Sequence, residues 1–317
     1  MKKSLFFIIC FIVSITVSAA KRIVVARDGS GDYKTVQQAI NAAPDSANKE
    51  TVIFIKSGVY KERLTLPESK TRIHFIGENV TKTILTFDNY ASKKDSSGKE
   101  FGTSRSASFF IYGGDFIAEN VTFENSAGPV GQALAVYVSG DRSTFINCGF
   151  LGCQDTIYTD YNARQYYKDC YIEGTTDFIF GPATAVFEGC EIFCKKGGSY
   201  ITAASTPDSV KYGYVFLNCR VTGNAPPASF YLGRPWRPFA QVVFINSNLG
   251  DHIKPAGWHN WGKESNERTA FYAENKSKGY GAKPGERVTW SHQLSDEEAK
   301  QYSVSNIFGG WKPEASN

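Results

Sequence analysis

No metal-binding pattern, no linker and no strong excess of one charge appears in this sequence. Its four histidines are scattered, and no cysteines have a CxxC or Cys/His ligand spacing, so we expect neither a metal nor another cofactor. The formal net charge of +4 is too small to suggest nucleic acid and is compatible with an anionic polymer. Because no stretch rich in proline, serine or glycine divides the chain, we expect one domain, and we expect a monomer.

An apolar run long enough to cross a membrane is also missing. Residues 1–20, MKKSLFFIICFIVSITVSAA, contain two lysines, an apolar run from Leu5 to about Val17, and then small residues. This order is typical of a bacterial secretory signal peptide, and the run is shorter than the roughly 18 residues of a membrane span. We therefore predict an exported protein, periplasmic or secreted, with no stable membrane anchor and a mature domain over 21–317.

A short motif repeats about every twenty to thirty residues through the middle of the chain. Each copy has an aromatic residue three positions before a small residue and an apolar residue two positions after it. The five copies are TFINCGF around Cys148, YYKDCYI around Cys170, VFEGCEI around Cys190, VFLNCRV around Cys219 and VFINSNL around Ser247. A looser sixth copy, DFIAENV, puts Glu119 at the position of the small residue. Short strands at this spacing, without a helical pattern between them, predict an all-β right-handed parallel β-helix.

The two ends of the predicted solenoid have helical patterns. The segment TVQQAINAAP (35–44) has apolar residues at helical spacing and follows the turn-rich DGSGDY. The segment LSDEEAKQY (294–302) has Ser295 as an N-cap with Glu298 three residues later. We therefore predict short capping helices near both ends.

Two aspartates occupy equal positions in successive copies of the motif. Asp155 is the seventh residue after Cys148, and Asp177 is the seventh residue after Cys170. Equal offsets place them one above the other, about 4.8 Å apart by backbone spacing. Stacked carboxylates repel unless one is protonated, so their pKa values should separate into an acid and a base or nucleophile. A single aspartate at a strand end would more often be a turn residue, and the pairing favours catalysis.

Two glutamines and an arginine complete this predicted site. Gln154 precedes Asp155, and Gln132 lies about one coil earlier. An amide donates hydrogen bonds without carrying charge, which suits an oxyanion that forms only in a transition state. No cation is close in sequence to Asp177, so we expect Arg234 to return from a later coil and bind its carboxylate with a planar fork. The alternative for Arg234 is a surface arginine stacked on a tryptophan.

Four blocks in this order, GQALAV, GCQDTIY, GTTDFIFG and LGRPW, resemble the signature sequences of pectin methylesterases (pectinesterases). The similarity extends from VVARDGSGDYKTVQQAI to RVTWSHQLSDEEA, and the exported bacterial members fit best. The resemblance implies hydrolysis of methyl-esterified homogalacturonan (pectin) to pectate and methanol without a cofactor. It implies Asp177 as the nucleophile, Asp155 as the general acid and then base, Gln132 and Gln154 as oxyanion donors, and Arg234 as the partner of Asp177.

The sequence departs from the family pattern beside both aspartates. Cys153 stands where the family usually has tyrosine, and Thr176 where valine is common, which puts the subsite preference in doubt. The exported bacterial members also imply a disulfide between Cys170 and Cys190, whose adjacent coils give a suitable Cα separation.

A groove for a sugar chain requires aromatic platforms and polar contacts. Each aromatic candidate has a core role as its alternative. The candidates are Thr103, Tyr158, Phe180, Trp236 and Trp261.

Three other functions compete with the esterase. A pectin-cleaving lyase or glycosidase also uses paired carboxylates, but it would leave the two glutamines without a role. A related β-helix esterase acting on thioesters would share the same catalytic residues. A non-catalytic polysaccharide-binding solenoid would keep the aromatic residues without a reason to stack two acids.

Overall fold

Within residues 21–161 and 163–313, which the computed structural model describes, parallel strands form three sheets. The predicted signal peptide, residues 1–20, lies outside the described residues. In chain order the strands are β1 (Lys21–Val25), β2 (Thr51–Ile55), β3 (Gly58–Lys61), β4 (Leu64–Leu66), β5 (Ile73–Gly77), β6 (Thr83–Phe87), β7 (Phe109–Ile111), β8 (Ile117–Glu119), β9 (Thr122–Asn125), β10 (Val136–Val138), β11 (Ser143–Ile146), β12 (Gly149–Leu151), β13 (Ile157–Thr159), β14 (Arg164–Lys168), β15 (Tyr171–Gly174), β16 (Thr176–Gly181), β17 (Thr184–Glu188), β18 (Glu191–Cys194), β19 (Tyr200–Ala204), β20 (Tyr214–Leu217), β21 (Arg220–Gly223), β22 (Tyr231–Gly233), β23 (Gln241–Ile245), β24 (Asn248–Leu249), β25 (Phe271–Asn275) and β26 (His292–Gln293).

Each coil contributes one strand to each sheet through the middle of the stack. Sheet A has the order β1-β2-β5-β8-β11-β14-β17-β20-β23-β25-β26, sheet B the order β24-β21-β18-β15-β12-β9-β6-β3, and sheet C the order β22-β19-β16-β13-β10-β7-β4. Neighbouring strands within each sheet are parallel, as in β11 with β14 and β13 with β16. The predicted right-handed parallel β-helix is confirmed.

A column of stacked rings fills the interior behind sheet A. Phe145, Tyr167, Phe187, Phe216 and Phe244 are in register on five successive strands. Their ring centroids are 4.9, 4.6, 4.6 and 4.2 Å apart, with interplanar angles of 12° or less. These residues are the aromatic positions of the five repeat copies, so the register read from the sequence is confirmed for those copies.

The sixth copy was aligned two residues out of register. Glu119 pairs with Ile146, and the partner of Phe145 is Ala118, so Glu119 is not at the level of the small residue. The prediction matched Phe116 to the aromatic column. Phe116 instead packs edge to face against Phe145, at 5.8 Å and 61°, outside the parallel stack.

The small residues of the repeat form a second buried column. Cys148, Cys170, Cys190 and Cys219 are free thiols, so the Cys170–Cys190 disulfide that the resemblance implied is not formed. Deep burial raises the pKa of the Cys170 and Cys190 thiols well above the ordinary value. Disulfide chemistry requires a thiolate, which this apolar interior disfavours.

A single residue turns the chain from sheet A into sheet B in successive coils. These residues have positive φ angles between 49° and 65°. Asparagine and aspartate tolerate this left-handed conformation better than other residues with a Cβ atom, and glycine adopts it freely. The column consists of Asn120, Asn147, Asp169, Gly189, Asn218 and Asn246.

Both predicted capping helices are present. The α-helices are α1 (Val36–Ala42), α2 (Glu264–Glu267), α3 (Asp296–Ala299) and α4 (Val304–Phe308), and 3-10 turns occupy Thr103–Arg105, Pro284–Glu286 and Lys300–Tyr302. Helix α1 begins after Thr35, whose hydroxyl accepts from the Gln38 amide, and α3 begins with a reciprocal capping box between Ser295 and Glu298. No helix in the part of the chain that is described is long and apolar enough to cross a membrane.

Candidate active site

A cavity of about 330 Å³ opens on the outer face of sheet C. Every predicted site residue except Tyr158 contributes to its wall. The lining residues are Thr103, Gln132, Gln154, Asp155, Asp177, Phe180, Ala203, Arg234, Trp236 and Trp261. Tyr158 lines a smaller depression of about 90 Å³, whose wall also includes Thr103, Phe180 and Trp236. Among residues 21–161 and 163–313, no three His, Cys, Asp or Glu side chains are grouped to hold a metal ion.

Arg234 binds the Asp177 carboxylate with both arms of its guanidinium fork. Nε donates to Oδ1 at 2.9 Å, and Nη2 donates to Oδ2 at 2.6 Å. A bidentate pair of this kind fixes the plane of the carboxylate as well as its charge. Asp177 lies on β16 and Arg234 directly follows β22, so the pair joins strands separated by β19 in sheet C.

The guanidinium of Arg234 makes cation–π contacts with two aromatic rings. The Cζ atom of Arg234 lies 3.9 Å from the ring centroid of Tyr200 and 3.7 Å from that of Trp261. The amide of Trp261 donates to Nδ1 of His259 at 3.1 Å, which orders the loop that carries this ring. Sequence reasoning missed Tyr200, because its contact with Arg234 depends on how the later coils stack.

The backbone at both aspartates is in the left-handed region. The φ angles are 64° at Asp155 and 51° at Asp177. Their coils are bonded together, since the Asp155 amide donates to the Thr176 carbonyl at 3.1 Å and Ile157 pairs with Ile179. Left-handed residues other than glycine are uncommon and often cluster at functional sites. The irregular backbone turns these two carboxylates into the cavity instead of the core.

The two carboxyl groups have different electrostatic surroundings. Burial raises the pKa of Asp155 to about 8, the charge of Asp177 adds to the rise, and Arg234 opposes it. Burial also raises the pKa of Asp177, but the Arg234 ion pair works against that rise. Asp155 therefore keeps its proton at a pH where Asp177 is stabilised as a carboxylate, which provides one proton donor and one anion in the same cavity.

Gln132 and Gln154 occupy neighbouring coils at the same level. Their backbones form a parallel bridge, and the Ala133 amide donates to the Gln154 carbonyl at 3.1 Å. The Gln132 carbonyl accepts from the amide of Ala91 at 2.8 Å, which ties this strand to the loop that precedes Thr103. Both amide side chains border the cavity beside the two aspartates.

An aromatic strip continues from the cavity across sheet C. Tyr158 and Phe180 are in register, with ring centroids 4.9 Å apart, and Phe180 lies 6.0 Å from Trp236. Sequence reasoning missed Tyr137, whose ring centroid lies 4.8 Å from that of Tyr158 on the preceding coil, with the rings tilted by 48°. Its signal was available, because Tyr137 precedes Tyr158 by nearly the same interval that separates Tyr158 from Phe180.

The two departures from the family pattern do not line the cavity. Cys153 borders a separate depression of about 240 Å³ together with Glu173 and Lys195. The Thr176 hydroxyl lies 3.4 Å from the hydroxyl of Ser199. Neither residue therefore reaches the region between the two aspartates.

Comparison with known proteins agrees with this geometry, because the Pectinesterase family model matches residues 22–310. The chain belongs to the pectinesterase family. It is 46% identical over 284 residues to Pectinesterase 31 of Arabidopsis thaliana, covering 88% of this chain and 89% of that protein. It is 36% identical to the pectin methylesterase from carrot, with a TM-score of 0.84 and coverage of 92% of this chain and 94% of that one.

A pectin methylesterase variant solved in complex with a hexasaccharide is 32% identical, with a TM-score of 0.82 over 94% of this chain and 100% of that one. The Arabidopsis and carrot pectinesterases are plant proteins, so they do not support the predicted assignment to the bacterial members of the family.

Proposed function

We propose that this protein hydrolyses the methyl esters of polygalacturonate in pectin, releasing methanol and leaving pectate. One observation carries the proposal: a carboxylate fixed by an arginine lies in the same cavity as a second carboxyl group that keeps its proton. An ester hydrolase needs a nucleophile and a proton donor for the leaving alcohol, and these two groups supply them.

In the first half of the reaction, a carboxylate oxygen of Asp177 attacks the ester carbonyl carbon. The carbonyl oxygen becomes an oxyanion, which accepts hydrogen bonds from the amide groups of Gln132 and Gln154. The bond from carbon to the methoxy oxygen then breaks, and Asp155 gives its proton to that oxygen. Methanol leaves, the galacturonate acyl group is bound to Asp177 as an anhydride, and Asp155 is now ionised.

The second half returns the enzyme to its starting state. The ionised Asp155 takes a proton from a water molecule, whose oxygen attacks the galacturonate carbonyl carbon. The anhydride bond breaks, Asp177 regains its carboxylate, and Asp155 is protonated again. The product leaves as galacturonic acid and gives its proton to the solvent. Arg234 acts on Asp177 in both halves, because it stabilises the carboxylate before attack and after release.

The surroundings of the cavity fit a sugar chain. Trp236, Trp261 and Phe180 present aromatic surface at the cavity, and Thr103 adds a hydroxyl group at its rim. Tyr158 extends this surface along the sheet. We assign the five residues to substrate binding. We also propose that residues 21–317 act as one exported domain and as a monomer, with the periplasm or the medium as the destination and no resident metal or other cofactor.

The test is to incubate the purified protein with methylated pectin and measure methanol, reducing ends and unsaturated uronate together. We expect methanol release and acidification with no shortening of the chain, and no loss of rate in the presence of a chelator. Asp177→Ala and Asp155→Ala should each lose at least about 10²-fold in rate while the fold is retained. New reducing ends or unsaturated products would support a glycosidase or a lyase instead, and cleavage of thioesters alone would support the thioesterase.

A further inference from the structure

Three aromatic rings extend the active site along sheet C, from the cavity towards the N-terminal coils. From Phe180 the rings of Tyr158, Tyr137 and Tyr112 follow at centroid distances of 4.9, 4.8 and 5.8 Å. All three tyrosines are partly exposed and pack against the apolar cluster that includes Phe180. The strip runs across the strands, so a polymer that occupies the cavity and follows the helix axis lies over these rings.

One carboxylate, that of Asp160, is bonded to two of the tyrosines. Its Oδ2 accepts from the Tyr137 hydroxyl at 2.6 Å, and its Oδ1 accepts from the Tyr158 hydroxyl at 3.3 Å. The Tyr161 amide also donates to Oδ1, at 2.7 Å. These three contacts hold the carboxylate at the hydroxyl ends of the two rings.

The negative charge of Asp160 is not neutralised by an ion pair with any described residue. Burial raises the pKa of Tyr158 to about 12, with the charge and the hydrogen bond of Asp160 as further causes. Burial and then the same carboxylate raise the pKa of Tyr137. Arg63 lies over the ring of Phe110, and Arg237 lies over the ring of Trp236. The two cations act on the strip from these neighbouring rings, since Arg237 opposes the rise in the pKa of Tyr158 and Arg63 opposes that of Tyr112. The Asp160 carboxylate, in contrast, is bonded directly to the tyrosine hydroxyls, so it is the charge closest to the middle of the strip.

We propose that Asp160 is a specificity-determining residue that favours methyl-esterified galacturonate over free galacturonate on the strip. The inference rests on the proposed function, because it concerns the units next to the one that reacts. An esterified unit and a free unit differ by one negative charge and a methyl group. A carboxylate among half-buried rings repels the free unit, whereas the rings accept the methyl ester. The product chain is therefore released in preference to a fresh esterified segment.

The test replaces Asp160 with asparagine, whose carbonyl oxygen accepts from one tyrosine hydroxyl and whose NH2 group can donate to the other. We expect the inhibition constant of polygalacturonate to fall roughly three- to tenfold in Asp160→Asn, because one repulsive charge is removed. The KM for highly methylated pectin should change less than twofold or so, since that substrate is mostly neutral. The difference in inhibition constant between the wild type and Asp160→Asn should become smaller at high salt concentration, because the strip is partly exposed and ions screen the charge.

Glu297→Gln is the matched control, because it removes one negative charge from an exposed position on α3. It should leave inhibition by polygalacturonate unchanged. Equal inhibition constants in the wild type, Asp160→Asn and Glu297→Gln would overturn the specificity proposal while methanol release persists. Absence of methanol release from the wild type would overturn the proposed function itself, so the two failures are distinguishable.

Discussion

Asp155 and Asp177 have the same side chain and the same left-handed backbone, but their neighbours give them different chemistry. Asp177 binds Arg234 in a bidentate ion pair, whereas Asp155 forms no ion pair within the described residues, and burial together with the nearby charge of Asp177 raises its pKa. Left-handed conformations are found most readily for Asn, Asp and Gly, so an aspartate satisfies the backbone and the chemistry together.

Arg234→Gln should move the acid limb of the kcat/KM profile to higher pH. The guanidinium lowers the pKa of Asp177, so its removal raises that pKa and protonates the proposed nucleophile over a wider acidic range. Arg234→Lys keeps the charge and loses the fork, and it should shift the limb less. Rates of methanol release measured from about pH 4 to 9 for the wild type and both variants test these shifts. An unchanged acid limb in Arg234→Gln would mean that another group controls the ionisation.

Gln132→Ala and Trp236→Ala should fail in different kinetic constants. Gln132 is proposed to donate only to the oxyanion, so its loss should lower kcat by roughly 10²- to 10³-fold with little change in KM. Trp236 is proposed to contact the sugar ring before and during reaction, so its loss should chiefly raise KM. Initial rates on methylated pectin separate the two. A change in KM alone for Gln132→Ala would make the glutamine a substrate contact and leave Gln154 or the backbone as the donor.

At the scale of the elements, the strand register could be predicted because the same residues recur at the same place in each coil. Five copies were aligned correctly on their aromatic column. The sixth failed because Phe116 is an aromatic residue of the core without belonging to that column. A pattern of residue types does not distinguish a ring that stacks from a ring that packs edge to face.

The turns between sheets A and B should tolerate glycine and reject branched residues. Asn218 is exposed, with φ at 54°, and its side chain has no described hydrogen bond. Asn218→Val should lower the free energy of unfolding by about 1 to 3 kcal/mol, because a β-branched residue is strained in this conformation. Asn218→Gly should be close to neutral. Denaturant unfolding of both variants tests this, and equal stabilities would show that the turn relaxes without strain.

At the scale of the whole molecule, the site is assembled from successive coils, and this decides what the sequence could predict. Asp155, Asp177 and Gln132 could be placed because the coils that carry them have nearly equal lengths. Tyr200 could not be placed in this way, because its contact with Arg234 crosses coils of unequal length. The position of Asp160 could not be predicted either. Asp160 directly follows β13, where no periodic position of the repeat identifies it.

The contribution of His252 to the stability of the molecule should fall as the pH drops below about 6.5. His252 is buried, and its Nε2 has no partner among the described residues. Burial lowers its pKa from 6.5, so the unfolded chain binds a proton at a pH where the folded chain does not. Through this residue, acid therefore favours the unfolded state by up to about 1.4 kcal/mol per pH unit between the folded and unfolded pKa values of His252.

His252→Phe removes this source of acid sensitivity. Relative to the wild type, the variant should gain stability between about pH 8 and pH 5, whatever its stability at the higher pH. The exposed His292 provides the control, and His292→Phe should show no such gain. Thermal or denaturant unfolding at the two pH values gives the comparison. If the free energy of unfolding differs between the wild type and His252→Phe by the same amount at both pH values, His252 is not a cause of acid sensitivity.

In chain order, the residues that line the cavity run from Thr103 to Trp261 in a protein of 317 residues. Synthesis therefore has to pass about four fifths of the sequence before the last ring of the site exists. Arg234 also emerges well after both aspartates, so a ribosome-bound chain holds Asp177, the proposed nucleophile, without the arginine that orients it. A nascent chain is thus without a complete site until its final coils are made, and synthesis itself times the onset of activity.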